Sequence, residues 1–128
     1  MAKTRGQIEA EISEAIIRFE REYMGRGPEE TRTFILDDLV VIRLKGVLTP
    51  AESKLAAARA DERGRMLVKQ ARIELLENAR HLLEAIIKDA VGQEVKSLHT
   101  DISTRTGERI IIFTLDAPPV PREHSKRR

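Results

Sequence analysis

Three features of this 128-residue sequence point to an α+β fold in two layers. They are an amphipathic stretch near the N-terminus, a long helix-rich stretch from Thr49 to Gly92, and a pair of β-branched runs on each side of that stretch. The order helix, hairpin, helix, hairpin predicts a mostly antiparallel four-stranded sheet made of two hairpins. The N-terminal helix and a long central helix are expected on one of its faces. Residues 1–121 form the single domain and residues 122–128 a basic disordered tail.

The elements follow in order. From about Arg5 to Met24, Ile8, Ile12, Ala15, Ile16, Phe19 and Tyr23 recur at three- and four-residue steps, which lines one face of a helix. Glu9, Glu11, Glu14, Arg18, Glu20, Arg21 and Glu22 fill the other side. Gly25-Arg26-Gly27-Pro28 stops this helix. Thr31 to Leu36 is β-branched and aromatic enough to be a strand. Asp37-Asp38 separates it from a second run, Leu39 to Lys45, so the two make a hairpin with a tight turn.

Thr49-Pro50-Ala51-Glu52 then reads as a helix start, with Thr49 capping free amides and Glu52 reaching back in a capping box. Gly92 is the matching stop, where a left-handed residue ends the helix. Gly64 is the weak point, because glycine inside a helix costs about 1 kcal/mol relative to alanine. A kink or short connection is therefore expected between Ala60 and Gly64, leaving one short helix and one long one. Beyond it, Ile73, Leu75, Leu76, Ala79, Leu82, Leu83, Ile86, Ile87, Ala90 and Val91 spread over roughly half the circumference of a helix. That is wider than one sheet covers. The surplus must lie against the first helix, a second subunit, or both, and Ile73, Leu76, Leu83 and Ile87 are the candidate residues of a homodimer interface.

Glu94 to Ile102 and Glu108 to Leu115 form the second hairpin around Ser103-Thr104-Arg105-Thr106-Gly107. Val95 is out of step with Leu98 and Ile102, which suggests a bulge near Ser97. Ile110 to Phe113 is apolar on both faces, the mark of a central strand.

Composition closes off several classes of chemistry. There is no cysteine, so disulfides, thiolate catalysis and cysteine zinc sites are absent together, and a cytoplasmic protein is expected. No segment approaches the ~18 apolar residues of a membrane span. Four of the 23 basic residues but only one of the 21 acidic ones lie in 122–128, so the rest of the chain is close to neutral. A folded nucleic-acid interface would concentrate basic residues on the body of the domain, and none is visible. Binding of nucleic acid or anionic lipid through the tail charges is a separate possibility, and it would be strongly salt-dependent.

His81, His99 and His124 are not spaced to share a metal ion, and no metal or cofactor is expected. Asp37 and Asp38 are adjacent, but a tight turn wants such residues for its own geometry. No second carboxylate is nominated for acid–base work, and no catalytic residue can be named. The glycines of Gly25-Arg26-Gly27-Pro28 would let backbone amides approach an anion, with Arg26, Arg43 and Lys45 adding charge. Gly25, Arg26, Gly27 and Arg43 are thus the candidate ligand-binding residues, although this loop lacks the Lys-Ser/Thr ending of a nucleotide P-loop and follows a helix where a P-loop follows a strand.

The set Gly25-Arg26-Gly27-Pro28, Leu39 to Leu44, Gly46-Val47-Leu48-Thr49-Pro50-Ala51-Glu52 and Leu55-Ala56 resembles the MpsC family, named for a sodium-translocating, membrane-potential-generating system. Gly64-Arg65, Arg72, Gly92 and Phe113-Thr114-Leu115 extend the likeness over about residues 5–116. The resemblance implies a small cytosolic protein, peripheral to the membrane through a membrane-protein partner that supports inorganic-carbon supply and membrane potential. It implies no catalytic residues. The functional expectation is a non-catalytic accessory protein, and the alternative is a small-ligand or nucleotide-binding regulatory domain that uses the Gly25–Pro28 loop.

Overall fold

The computed structural model describes residues 3–57 and 62–119. The tail expected at 122–128, and the part of the expected kink before Glu62, lie outside the described residues. In chain order the elements are α1 (Arg5–Tyr23), β1 (Glu30–Leu36), β2 (Leu39–Lys45), α2 (Pro50–Ala57), α3 (Arg63–Asn78), α4 (Arg80–Val91), β3 (Val95–Ile102) and β4 (Arg109–Leu115). The sheet is antiparallel throughout, in the order β1-β2-β4-β3. The two hairpins therefore meet through their second strands, Val40 opposite Phe113 and Ile42 opposite Ile111.

Local chemistry accounts for most boundaries. Thr4 and Gln7 exchange hydrogen bonds in a capping box at the start of α1. Thr49 and Glu52 do the same before α2, Glu52 N donating to Thr49 Oγ1 at 3.2 Å and Thr49 N to Glu52 Oε1 at 2.9 Å. Asp37 takes the left-handed conformation that the two-residue turn demands (φ 59°). Gly92 ends α4 at φ 74°, and the β3–β4 register shifts between Val95 and Ser97, where the bulge was expected.

The core lies between α1 and α4 and one face of the sheet. Ile8, Ile12, Ile16 and Phe19 of α1, and Leu83, Ile87 and Val91 of α4, pack on Ile35, Val40, Ile42, Leu44, Ile111, Phe113 and Leu115. Ser13 Oγ and Thr33 Oγ1, 2.7 Å apart, tie α1 to β1.

The long central helix is corrected to two. After Asn78 the chain turns at Ala79 (φ −102°, ψ 7°), whose N–H is shared between the carbonyls of Leu75 and Leu76. α3 and α4 then bury separate stripes: Val68, Arg72 and Leu76 on α3, and Leu83, Ile87 and Val91 on α4. This break, with α1 packed beside α4, buries Leu76, Ala79, Leu83, Ile87 and Val91 of the wide apolar arc and leaves Ile73, Leu75 and Leu82 exposed. Gly64 is indeed special, but as a contact between helices. A Cβ placed there would lie 2.0 Å from the Leu55 carbonyl oxygen of α2, so only glycine allows α2 and α3 to pack this closely.

Candidate functional site

The other face of the sheet is covered by no helix among the described residues. Across it, β1 presents Arg32, Phe34 and Leu36, β2 Arg43, Val41 and Leu39, β4 Ile110, Ile112 and Thr114, and β3 Asp101, His99 and Ser97, in matching rows. Leu36 is 56% and Phe34 38% exposed, and the apolar side chains of the two central strands are half-buried. Basic residues mark one edge of the first row and an acidic residue the other. Arg32 lies over the Phe34 ring at 5.6 Å, and Asp101 pairs with Lys69 of α3 at 3.2 Å.

At one end of the sheet, the residues after β2, the loop between β3 and β4, and α2 enclose a cleft of about 890 Å³. Gly46 (φ 69°) and Gly107 (φ 75°) shape its floor. The Val47 amide donates to the Gly107 carbonyl at 3.0 Å, which holds the two loops together. A Cβ on Gly46 would come within 2.5 Å of the Glu29 side chain. Among the described residues, Arg26, Arg43, Lys45, Arg65 and Arg105 line the cleft with Glu29 and Glu108 as the carboxylates. Thr104, Thr106 and Ser53 add hydroxyls; Leu48, Pro50, Ala56 and Ala57 form an apolar wall.

Directly behind this wall is a buried charge cluster. Arg72 of α3 donates from Nε and Nη2 to Glu52 at 2.9 and 2.6 Å, and from Nη2 to the Val47 carbonyl at 2.9 Å. Glu20 of α1, with no exposed surface, sits between Arg72 (3.9 Å) and Arg109 of β4 (3.6 Å). These last contacts are too long to be hydrogen bonds. Both Glu20 oxygens, Arg72 Nη1, and Nε and Nη1 of Arg109 have no hydrogen-bond partner among the described residues. Burial pushes the Glu20 carboxyl above its usual range, more strongly than Arg109 and Arg72 pull it down. Burial likewise lowers Arg109, against the pull of Glu20. Glu52 differs: burial raises it, but hydrogen bonds from Arg72 and Thr49 bring it below the ordinary carboxylate value. Each half of the cluster adjoins a cleft residue in sequence, Glu52 beside Ser53 and Arg109 beside Glu108.

The residues expected to bind a ligand are thus divided. Arg26 and Arg43 line the cleft, whereas Gly25 and Gly27 do not. Of those expected at a homodimer interface, Leu76, Leu83 and Ile87 are at most 1% exposed and belong to the chain's own core; Ile73 alone is on the surface, at 50%. Their spacing announced burial and left the covering surface undetermined, and α1 and the sheet supply it. Glu20 is also corrected, from the polar to the buried side of α1. It continues the four-residue series Ile8, Ile12, Ile16, and that was the available signal. Arg109 alternates with Ile111, Phe113 and Leu115 on the core face. His81 and His99 are both exposed and lie on different elements, and the described residues contain no cluster of three or more potential metal ligands. No helix among them is long and apolar enough to cross a membrane.

A family profile described as "Na+-translocating membrane potential-generating system (MpsC)" matches residues 4–117. The chain belongs to the MpsC family. Relatives of this MpsC-family chain include the uncharacterized protein YbcI of Bacillus subtilis, 44% identical over 115 residues that cover 90% of each chain. The uncharacterized protein YrhF of the same organism is 27% identical over 108 residues, 83% of this chain and 85% of its own length. No solved structure matches. The matched region takes in α1, the cleft, the buried cluster and the whole sheet of this MpsC member.

Proposed function

We propose that this chain is a non-catalytic accessory protein of a membrane potential-generating system, and that it works as a homodimer joined through the open face of its sheet. The family description supports the link to the membrane system. The observation that carries the dimer is the arrangement of that face: an apolar centre of Phe34, Leu36, Leu39, Val41, Ile110 and Ile112, with Arg32 at one edge and Asp101 at the other. A two-fold axis parallel to the strands lays β3 of one copy over β1 of the other. Asp101 then faces Arg32 at both edges, and Val41 faces Ile112 in the middle. An axis across the strands would instead leave Arg32 over Leu36. Charge complementarity therefore favours the first arrangement, the usual near-aligned packing of two sheets.

Light scattering is the test. The wild type is expected at twice 14.5 kDa, and Phe34→Glu at one unit with its helix and strand content intact. Arg32→Asp should weaken the dimer and Asp101→Arg, added to it, restore it. A wild type that stays monomeric, or a charge swap without rescue, refutes this arrangement. The accessory role is tested separately by tagging the chain in its own cells; recovery of no integral membrane protein from solubilised membranes would refute it. The basic cleft favours a second reading, a ligand-binding regulatory domain, and that reading is compatible with the first.

A further inference from the structure

We propose that the cleft between the β3–β4 loop and α2 binds a multivalent phosphate, a group of two or more phosphates carried by a soluble small molecule or by a phospholipid headgroup. This binding does not require the dimer, although Arg43 belongs both to the cleft and to the first row of the open sheet face. Among the described residues, five cations against two carboxylates give the lining a surplus of three positive charges in a chain whose formal charge is only +2. Four of the five are arginines, whose planar forks match phosphate oxygens in pairs. A volume of about 890 Å³ is far more than one phosphate fills.

The pairing of these cations leaves room for an anion. Arg43 is held in a short contact with Glu108, but Arg26 reaches Glu29 only at 3.6 Å, and its Nε is buried with no hydrogen-bond partner. Lys45 pairs with Glu30 at 3.7 Å and Arg65 with Glu62 at 2.5 Å. Both of those carboxylates lie outside the lining and are well exposed, so the pairs are weak and readily exchanged for a phosphate. Arg105 makes no ion pair among the described residues. No aromatic side chain among the described residues lines the cleft, so recognition rests on the phosphates and not on stacking with a nucleobase. The buried Arg72–Glu52 and Arg72–Val47 bonds tie α3, which carries Arg65, to α2 and the Val47 segment beside the cleft.

The test has two arms, both at constant ionic strength: calorimetric titration with sodium tripolyphosphate, and co-flotation with phosphatidylcholine vesicles with or without cardiolipin. Arg105→Glu and Arg65→Glu are the variants, each checked for an unchanged thermal unfolding curve, since both side chains are exposed. Saturable binding weakened about tenfold or more by each variant is expected, the effect of losing one charge-assisted contact. Binding to tripolyphosphate assigns a soluble ligand; binding only to cardiolipin vesicles assigns a headgroup. No binding in either arm, or binding indifferent to both substitutions, overturns the proposal.

Discussion

Arg72→Met removes the side chain on which the interior cluster depends, and the structure sets the size of the effect. The substitution keeps a similar apolar stem and deletes the guanidinium. The Val47 carbonyl, on a residue 1% exposed, is then left without a donor, at a cost of about 1–3 kcal/mol. Glu52 loses two hydrogen bonds, but its side chain is 24% exposed and water replaces part of them. Glu20 loses one of its two countercharges in the interior, and breaking a buried pair from one side costs about 3–5 kcal/mol. These losses share one side chain and do not add, so a total of about 3–5 kcal/mol is expected. Urea denaturation followed by circular dichroism measures it. With a slope of about 1.5 kcal/mol per molar, the midpoint should fall by roughly 2–3 M with the slope unchanged. A fall of less than about 0.5 M would show that Arg72 does not hold α2, α3 and the Val47 segment together.

Other outcomes follow from the same structure. Glu20→Gln should cost less than Arg72→Met, because it removes a carboxyl whose charged form burial disfavours and leaves the Arg72 bonds to Glu52 and Val47 in place. A raised folded-state value means that the Glu20 contribution is complete below the unfolded carboxylate range of about 4.3 and is lost as pH rises through the folded value. Glu52 acts in the opposite sense: its lowered value contributes stability above that range, which is lost as pH falls through the folded value. Wild type minus Glu20→Gln stability should therefore decrease as pH rises from the unfolded carboxylate value through the raised folded value, and a difference that grows with pH in a denaturation series would contradict the assignment. Gly64→Ala should destabilise by about 1–3 kcal/mol even though alanine favours helix by about 1 kcal/mol, because the new Cβ meets the Leu55 carbonyl. A thermal midpoint equal to or above wild type would mean that α2 moves away freely.

The sequence was most legible where a local rule decides the outcome. Thr49 with Glu52, Gly92, the Asp37 turn and the Val95–Ser97 shift all rest on hydrogen bonds or backbone angles within a few residues, and all stand where they were expected. The break at Ala79 has no proline or glycine to mark it; it is set by how α3 and α4 pack on different neighbours. Glu20 and Arg109 were hidden for a related reason. A charge in a periodic series reads as surface unless its countercharge is visible, and here the countercharges come from distant elements. The cleft was half legible: Arg26 and Arg43 were both expected to bind a ligand, whereas Arg65 and Arg105 join them only through the folding of α3 and the β3–β4 loop.

The strand order has a consequence for how the protein comes off the ribosome. Because β4 lies between β2 and β3, the first hairpin waits with its inner edge unpaired until Leu115 has emerged, and Glu20 waits just as long for Arg109. Such non-local pairing closes late and slowly. Until then, Val40, Ile42 and Leu44 have β1 on one side and no strand on the other, and the nascent chain offers a bare β-edge of the kind that chaperones and aggregation both compete for. The last strand thus completes the core and the buried charge cluster in one step, so a chain stalled before Arg109 would carry neither in full.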